Sequence, residues 1–239
     1  MEGSPGEAPR LTGLLKSFWP FFLIFAAAGY LLRAAWPHPE IKVIHAGFLL
    51  LMLAGAFAAA LLAMERRMKA YLKGARGEES VGRALGFLPV GYSVFHGVPL
   101  SGSGMIKTAA ELDHVVVGPT GVFAVETKNW SGRITVEAGA VLYNGIEPDR
   151  PPLDQVRQSA GLLEKALSGH LKIDLPVQPI LCFASSRIAR GSIGVDGVVV
   201  CESGSLNRVV MDSVETPLGE DIRKQAAAWL TGQVNRDRA

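Results

Sequence analysis

Cysteine is nearly absent from this 239-residue chain: Cys182 and Cys201 are the only two, they form no CxxC pair, and no histidine stands at zinc-site spacing. That excludes a disulfide scaffold and a zinc module, and leaves two buried thiols of a reducing compartment. A surplus of one charge sign is also missing, because 24 Lys+Arg against 22 Asp+Glu give +2. Bulk charge of that size does not by itself imply nucleic-acid binding. Charged residues are scarce at 19%, against about 25% in ordinary soluble domains. With 49% hydrophobic residues the chain is too apolar to be disordered. It shows no internal repeat and no long linker, and its length allows one or two domains.

The apolar excess is local. Between Ser17 and Met64 the only charges are Arg33, Glu40 and Lys42. Val43 to Met64 is a run of 22 residues without a charge, about 33 Å as a helix and enough to cross a ~30 Å hydrocarbon core. A weaker span runs from Ser17 to Leu32 and extends towards Trp36 if Arg33 reaches the headgroups. Pro20 falls in its first turn, where a missing N–H does little harm. Trp19, Tyr30 and Trp36 stand near its ends, as in an aromatic belt. The run is long for a signal peptide and no A-x-A site follows it. The expectation is therefore a hairpin of two transmembrane helices, about 17–36 and 43–64, after an N-terminal tail of residues 1–16.

Arg66, Arg67, Lys69, Lys73 and Arg76 crowd the exit of the second span, in a basic juxtamembrane linker at 65–76. The positive-inside rule then predicts a multi-pass protein of the cell's inner (plasma) membrane, with both termini and the soluble domain cytoplasmic. Attraction of this run to anionic lipid is secondary to its topological role. His45 lies near a span end, as an interfacial bystander rather than a proton relay.

Beyond the linker, helix and strand signals alternate. Glu78–Leu88 has Val81, Leu85 and Leu88 at helical spacing. Pro89–Val98 holds a strand and Ser101–Gly104 is a loop. The clearest unit is ELDHVVVG, a Pro-Thr turn and GVFAVETKNW, a β-hairpin. RITVEAGAVLYNG is a second hairpin. A helix follows over Leu153–Leu167, then strands in VQPILCFAS and VDGVVVCES, a short helix over Leu206–Val210 and a terminal one over Asp221–Leu230. This pattern predicts a layered α/β domain at 77–210, with a C-terminal helix and tail at 211–239.

Asp113 sits inside one apolar arm of the first hairpin, and Glu126 and Lys128 inside the other. Such charges are costly in strands unless paired, solvated or bound to a metal. With a two-residue Pro119-Thr120 turn, opposed residue numbers sum to 239, which makes Asp113 and Glu126 cross-strand neighbours about 4.5–5.5 Å apart at Cβ. Lys128 then shares the face of Glu126. A three-residue Pro-Thr-Gly loop with a glycine bulge is also compatible and shifts the pairing by one. Two carboxylates that close repel unless a cation stands between them. The bland alternative is an exposed Glu–Lys pair worth about 0–1 kcal/mol. Trp130 reads as hairpin packing ahead of a base contact, with Arg133 a candidate phosphate contact. His114 points away from the face of Asp113 and reads as a packed residue.

This D…E-x-K spacing behind an acidic helix resembles the PD-(D/E)XK restriction-endonuclease-like superfamily, and within it the nuclease-related domain (NERD) family. Gly77-Glu78, Glu111–Gly118, Gly121–Gly132 and Pro152-Leu153-Asp154-Gln155 carry the resemblance, which covers about Gly74 to Val210. Pro151-Pro152-Leu153 stands where Asn-Pro-Leu is more usual. The resemblance implies a mixed central sheet flanked by helices. It implies acidic ligands Glu78, Asp113 and Glu126 for Mg²⁺ (or Mn²⁺), a catalytic Lys128 and a polar helper in Gln155. Glu79 adjoins Glu78, and the Gly-Glu pattern selects Glu78.

The implied activity is metal-dependent hydrolysis of nucleic-acid phosphodiesters, DNA ahead of RNA. In that reaction the metal polarises the phosphate while Lys128 orients or deprotonates a water. The competing reading is a membrane-tethered module that binds nucleic acid or protein without cutting. A channel ranks last, because neither span carries a charge at mid-depth.

Overall fold

The computed structural model describes residues 18–30, 33, 43–101, 109–188, 191–213 and 217–236. The expected tail 1–16, the outer loop between the apolar segments, most of the Ser101–Gly104 loop and the last residues of the C-terminal tail lie outside them. The chain divides into two compact units, Ala8–Lys73 and a larger one from Gly74 to Ala239.

In the smaller unit, residues 18–30 form helix α1, and α2 begins at Val43. Phe21 and Phe57 meet edge-on at 5.4 Å. Among the described residues, no helix is long and apolar enough to cross a membrane. The two-span hairpin expected at 17–36 and 43–64 is thus not supported among those residues.

The expected linker at 65–76 is helical as well, because α2 runs unbroken over Val43–Leu85. The stretch MERRMKAYLKGAR is basic, but nearly every residue in it favours a helix. Glu65 and Lys69 add an i,i+4 pair at 2.6 Å.

The larger unit is built on a six-stranded sheet in the order β1-β2-β3-β6-β8-β7. Its strands are β1 (Ser93–Ser101), β2 (Ala109–Gly118), β3 (Gly121–Lys128), β6 (Val177–Phe183), β7 (Ser192–Val195) and β8 (Val198–Glu202). The hairpins β1–β2, β2–β3 and β7–β8 are antiparallel. β3, β6 and β8 run parallel, so the sheet is mixed. β4 (Ile134–Glu137) and β5 (Ala140–Tyr143) form a separate hairpin. Around the six-stranded sheet stand the end of α2 and the helices α3 (Pro152–Leu171), α4 (Leu206–Asp212) and α5 (Glu220–Arg236).

Each element follows from local chemistry. Val122–Val125 is apolar without alternation because β3 is central and buried on both faces. Helix α3 opens on a proline in its first turn, where no N–H is needed. It turns Val156, Ala160, Leu163 and Leu167 inward and ends on Lys172 in the left-handed conformation.

One core layer packs α3 and α5 on the sheet through Val115, Ala124, Leu163, Ala226 and Leu230. The other packs the end of α2 and α4 through Val81, Leu85, Phe123, Leu206 and Val210. VDGVVVCES proves to be a strand β8 and the turn of a further hairpin, with β7 before it. Asp196 and Gly197 both take positive φ (44 and 79), the two-residue turn that an Asp-Gly pair signals.

Cys182 and Cys201 are free, buried and directly opposed on β6 and β8. Their mutual hydrogen bond, then burial, raises the Cys182 thiol well above its ordinary value, so it stays protonated.

The sheet also joins two histidines far apart in sequence. His96 and His114 are register partners on β1 and β2, both buried, with Nδ1 atoms 2.7 Å apart. One ring must donate and the other accept, so the pair exists only while at least one is neutral. Burial lowers His96 to about 4 and His114 to about 3. Below their ordinary value of 6.5 the unfolded chain takes up protons that the fold refuses. Stability is therefore complete above 6.5 and is lost as pH falls from there towards about 4 and 3, by roughly 1.4 kcal/mol per pH unit for each ring. Urea midpoints at pH 7 and pH 5 should fall steeply for the wild type and less for His114→Phe. Equal slopes would remove the pair as the cause.

Candidate metal and nucleic-acid site

The β2–β3 hairpin has the two-residue turn, with Gly118 opposite Gly121 and the ladder ending at His114 opposite Val125. The next residues outward are Asp113 and Glu126, at the end of the pairing where the strands part. Two contacts hold the turn itself: Thr120 Oγ1 donates to the Val210 carbonyl at 2.7 Å, and the Tyr92 hydroxyl lies 3.0 Å from Thr120 Oγ1.

Asp113 Oδ2 accepts the backbone N–H of Thr127 at 2.7 Å, which ties the aspartate to the middle of the E-x-K tripeptide. Lys128 Nζ donates to Glu126 Oε1 at 2.8 Å and to Gln155 Oε1 at 2.7 Å. Gln155 stands in the first turn of α3, so that helix delivers it over the end of β3. Two of the three ammonium hydrogens of Lys128 are used here, leaving one for an anionic oxygen. Glu126 and Lys128 are mostly buried, their side chains 16% and 21% exposed.

Burial first, then the charges of Glu126 and Glu78, push the Asp113 carboxyl well above its ordinary range, against the opposing pull of the Thr127 N–H and Lys128. Of the adjacent acids Glu78 and Glu79, both half-buried on α2, Glu78 raises the Asp113 carboxyl through its charge. The structure thus brings together Asp113, Glu126, Lys128 and Gln155, with Glu78 within electrostatic reach. Carboxylates perturbed by burial together with neighbouring charges cluster at functional sites.

The residues present fit a hard divalent cation. The donors are carboxylate oxygens, and the repulsion that raises Asp113 is what a cation relieves. Asp113 and Glu126 each keep one oxygen outside the bonds just described. Among the described residues, no three Asp, Glu, His or Cys side chains already form a metal cage. A Mg²⁺-like ion would take one or two of these carboxylates and complete its shell with waters.

Several neighbours carry no signal in the D…E-x-K pattern. Trp130 packs on Tyr143 at 5.1 Å and on Phe183 at 5.4 Å, as hairpin packing requires. Arg133 is exposed. Asn129 accepts a hydrogen bond from the Ser185 hydroxyl, and the Ala184 N–H reaches the Lys128 carbonyl at 3.0 Å. The loop after β6 is thereby fastened beside the lysine. The Thr127 N–H is a backbone group, so only the register discloses its role.

Comparison with known proteins agrees with this geometry at the level of the domain. No curated protein matches the chain. Among solved structures, protein VC1899 from Vibrio cholerae matches at 14% identity and TM-score 0.32, over 98% of this chain and 58% of that one. The chain thus spans little more than half of that structure's length. Residues 73–184, which carry α2's last turns, the β2–β3 hairpin, Gln155 and β6, match the family model described as NERD, Nuclease-related domain.

Proposed function

We propose that this protein is a membrane-anchored, divalent-metal-dependent nuclease that hydrolyses phosphodiester bonds in nucleic acid, DNA ahead of RNA. The observation that carries the reading is the joining of Asp113, Glu126, Lys128 and Gln155 at the end of β3, inside a stretch that matches a nuclease-related domain. Glu78, Asp113 and Glu126 would hold Mg²⁺ (or Mn²⁺), which supplies Lewis-acid polarisation of the phosphate and an acidified water. Lys128, kept in place by Glu126 and Gln155, points its remaining N–H at the attacking water or a phosphate oxygen and offsets charge developing there. Asp113 must lose its proton before it ligates, so metal affinity rises with pH.

The membrane reading rests on the sequence and on exposed apolar side chains of the smaller unit, including Phe22 at 73%, Phe25 at 66% and Leu51 at 70%. Water-exposed patches of that kind mark contact surfaces. Inner-membrane residence with both termini cytoplasmic follows from the basic exit at 66–76. Resistance of the membrane-bound full chain to alkaline carbonate extraction supports an anchor, and quantitative release excludes one.

The decisive measurement is degradation of DNA and of RNA by the detergent-solubilised full chain with Mg²⁺ or Mn²⁺, beside Asp113→Asn. Metal-dependent cleavage lost in the variant supports the nuclease. The lack of a ready-made three-ligand cage among the described residues favours a second reading, a tethered module that binds nucleic acid or a protein partner without cutting. Tight binding with no cleavage in either metal would select it.

A further inference from the structure

The Glu78 helix meets the sheet at one bare point. Gly77 is buried, and a Cβ placed on it would lie 2.6 Å from Asn129 Cβ and 3.1 Å from Asn129 Cγ. Real carbon atoms do not approach so closely. The obstructing atom is the root of the Asn129 side chain, one bond from the backbone, so no rotamer change removes it. Asn129 cannot retreat easily either. It follows Lys128 directly, the Lys128 carbonyl is held by the Ala184 N–H at 3.0 Å, and its own Oδ1 takes the Ser185 hydroxyl. Gly74, one turn earlier on α2, has nothing within 4 Å of such a Cβ. The close approach therefore belongs to Gly77.

We propose that Gly77 is a positioning residue: its bare Cα seats α2 on Asn129 and thereby sets the reach of the neighbouring Glu78 carboxylate into the metal site. This rests on the metal-site reading above. A glycine inside a helix is less favourable than an alanine, and only close approach gives that cost a return here.

The test is Mn²⁺ affinity of the full chain, read from the electron paramagnetic resonance signal of free Mn²⁺, with thermal melts alongside. Gly77→Ala should weaken binding about 10–100-fold, the usual effect of disturbing the support of a metal ligand, while Gly74→Ala leaves it unchanged. In a Glu78→Gln background Gly77→Ala should cause no further loss, because the carboxylate it positions is gone. A merely structural role would lower affinity equally in both backgrounds. Should Gly77→Ala unfold, Asn129→Gly, which empties the seat, enters the same cycle with the same expectation. Wild-type affinity in a folded Gly77→Ala, or an equal loss without Glu78, overturns the seat alone. Absence of Mn²⁺ binding by the wild type overturns the metal-site reading and the seat with it.

Discussion

Asp113→Asn is expected to make the metal-free protein more stable at neutral pH while abolishing divalent-metal binding and cleavage. Asparagine keeps the acceptor for the Thr127 N–H and removes a charge that burial, Glu126 and Glu78 all oppose. The folded carboxyl holds its proton to a higher pH than an unfolded one, whose ordinary value is 3.8. Between those two values the folded state binds more protons, so wild-type stability falls as pH rises through the window and stays reduced above it. The variant lacks this loss, and its advantage should vanish in acid, below 3.8.

Divalent metal should reverse the order. At a concentration of 100 Kd, Mn²⁺ adds about 2.7 kcal/mol to the wild type and nothing to the variant. Loss of a positioned, charge-stabilising group lowers rates by about 10²–10³-fold or more. Urea titrations at pH 7 with and without Mn²⁺, beside the cleavage assay, measure all of this. A metal-free Asp113→Asn less stable than wild type would refute the strain assigned to this site.

The largest stability loss is expected at Phe183→Ala, about 3–5 kcal/mol. Phe183 is fully buried and opposes Lys128 across the β3–β6 pairing, so the two share a face of the sheet. It clusters with Leu153 and Val156, the apolar side of the α3 turn that carries Gln155, and its ring meets Trp130 at 5.4 Å. The cavity therefore opens beside Lys128 and beneath the α3 turn that carries Gln155. Against a usual total of about 5–15 kcal/mol this is severe, and any folded remainder should also bind Mn²⁺ more weakly. A loss under about 1 kcal/mol in urea would show that the site does not depend on this packing.

The parts legible in advance were those with local causes. β-Branched and aromatic arms bounded by turn residues located the β2–β3 hairpin, and a two-residue turn put Asp113 opposite Glu126, one position beyond the last pair of the ladder. Helical spacing found α3, and the Pro-Leu-x-Gln resemblance marked Gln155 at its entry, in the first turn. Errors arose where one signal was read for another. Basic residues at 65–76 suggested a linker although the same residues favour a helix, and α2 runs through them. β7 was missed because SIGV is short and half exposed, despite the Asp-Gly turn that follows it.

Sequence alone set the scarcity of cysteine, the balanced charge and the apolar residues gathered before Glu65. So are the strand-embedded Asp113, Glu126 and Lys128, because a charge in an apolar strand shows itself without coordinates. Tertiary structure alone decided what those groups touch. The Thr127 N–H on Asp113, the Lys128–Gln155 bond, the His96–His114 pair and the Gly77–Asn129 contact join residues up to 52 positions apart. Side-chain periodicity encodes which face a residue presents, but not which distant segment covers that face. That choice is made by packing, which acts between segments and leaves no local pattern in either.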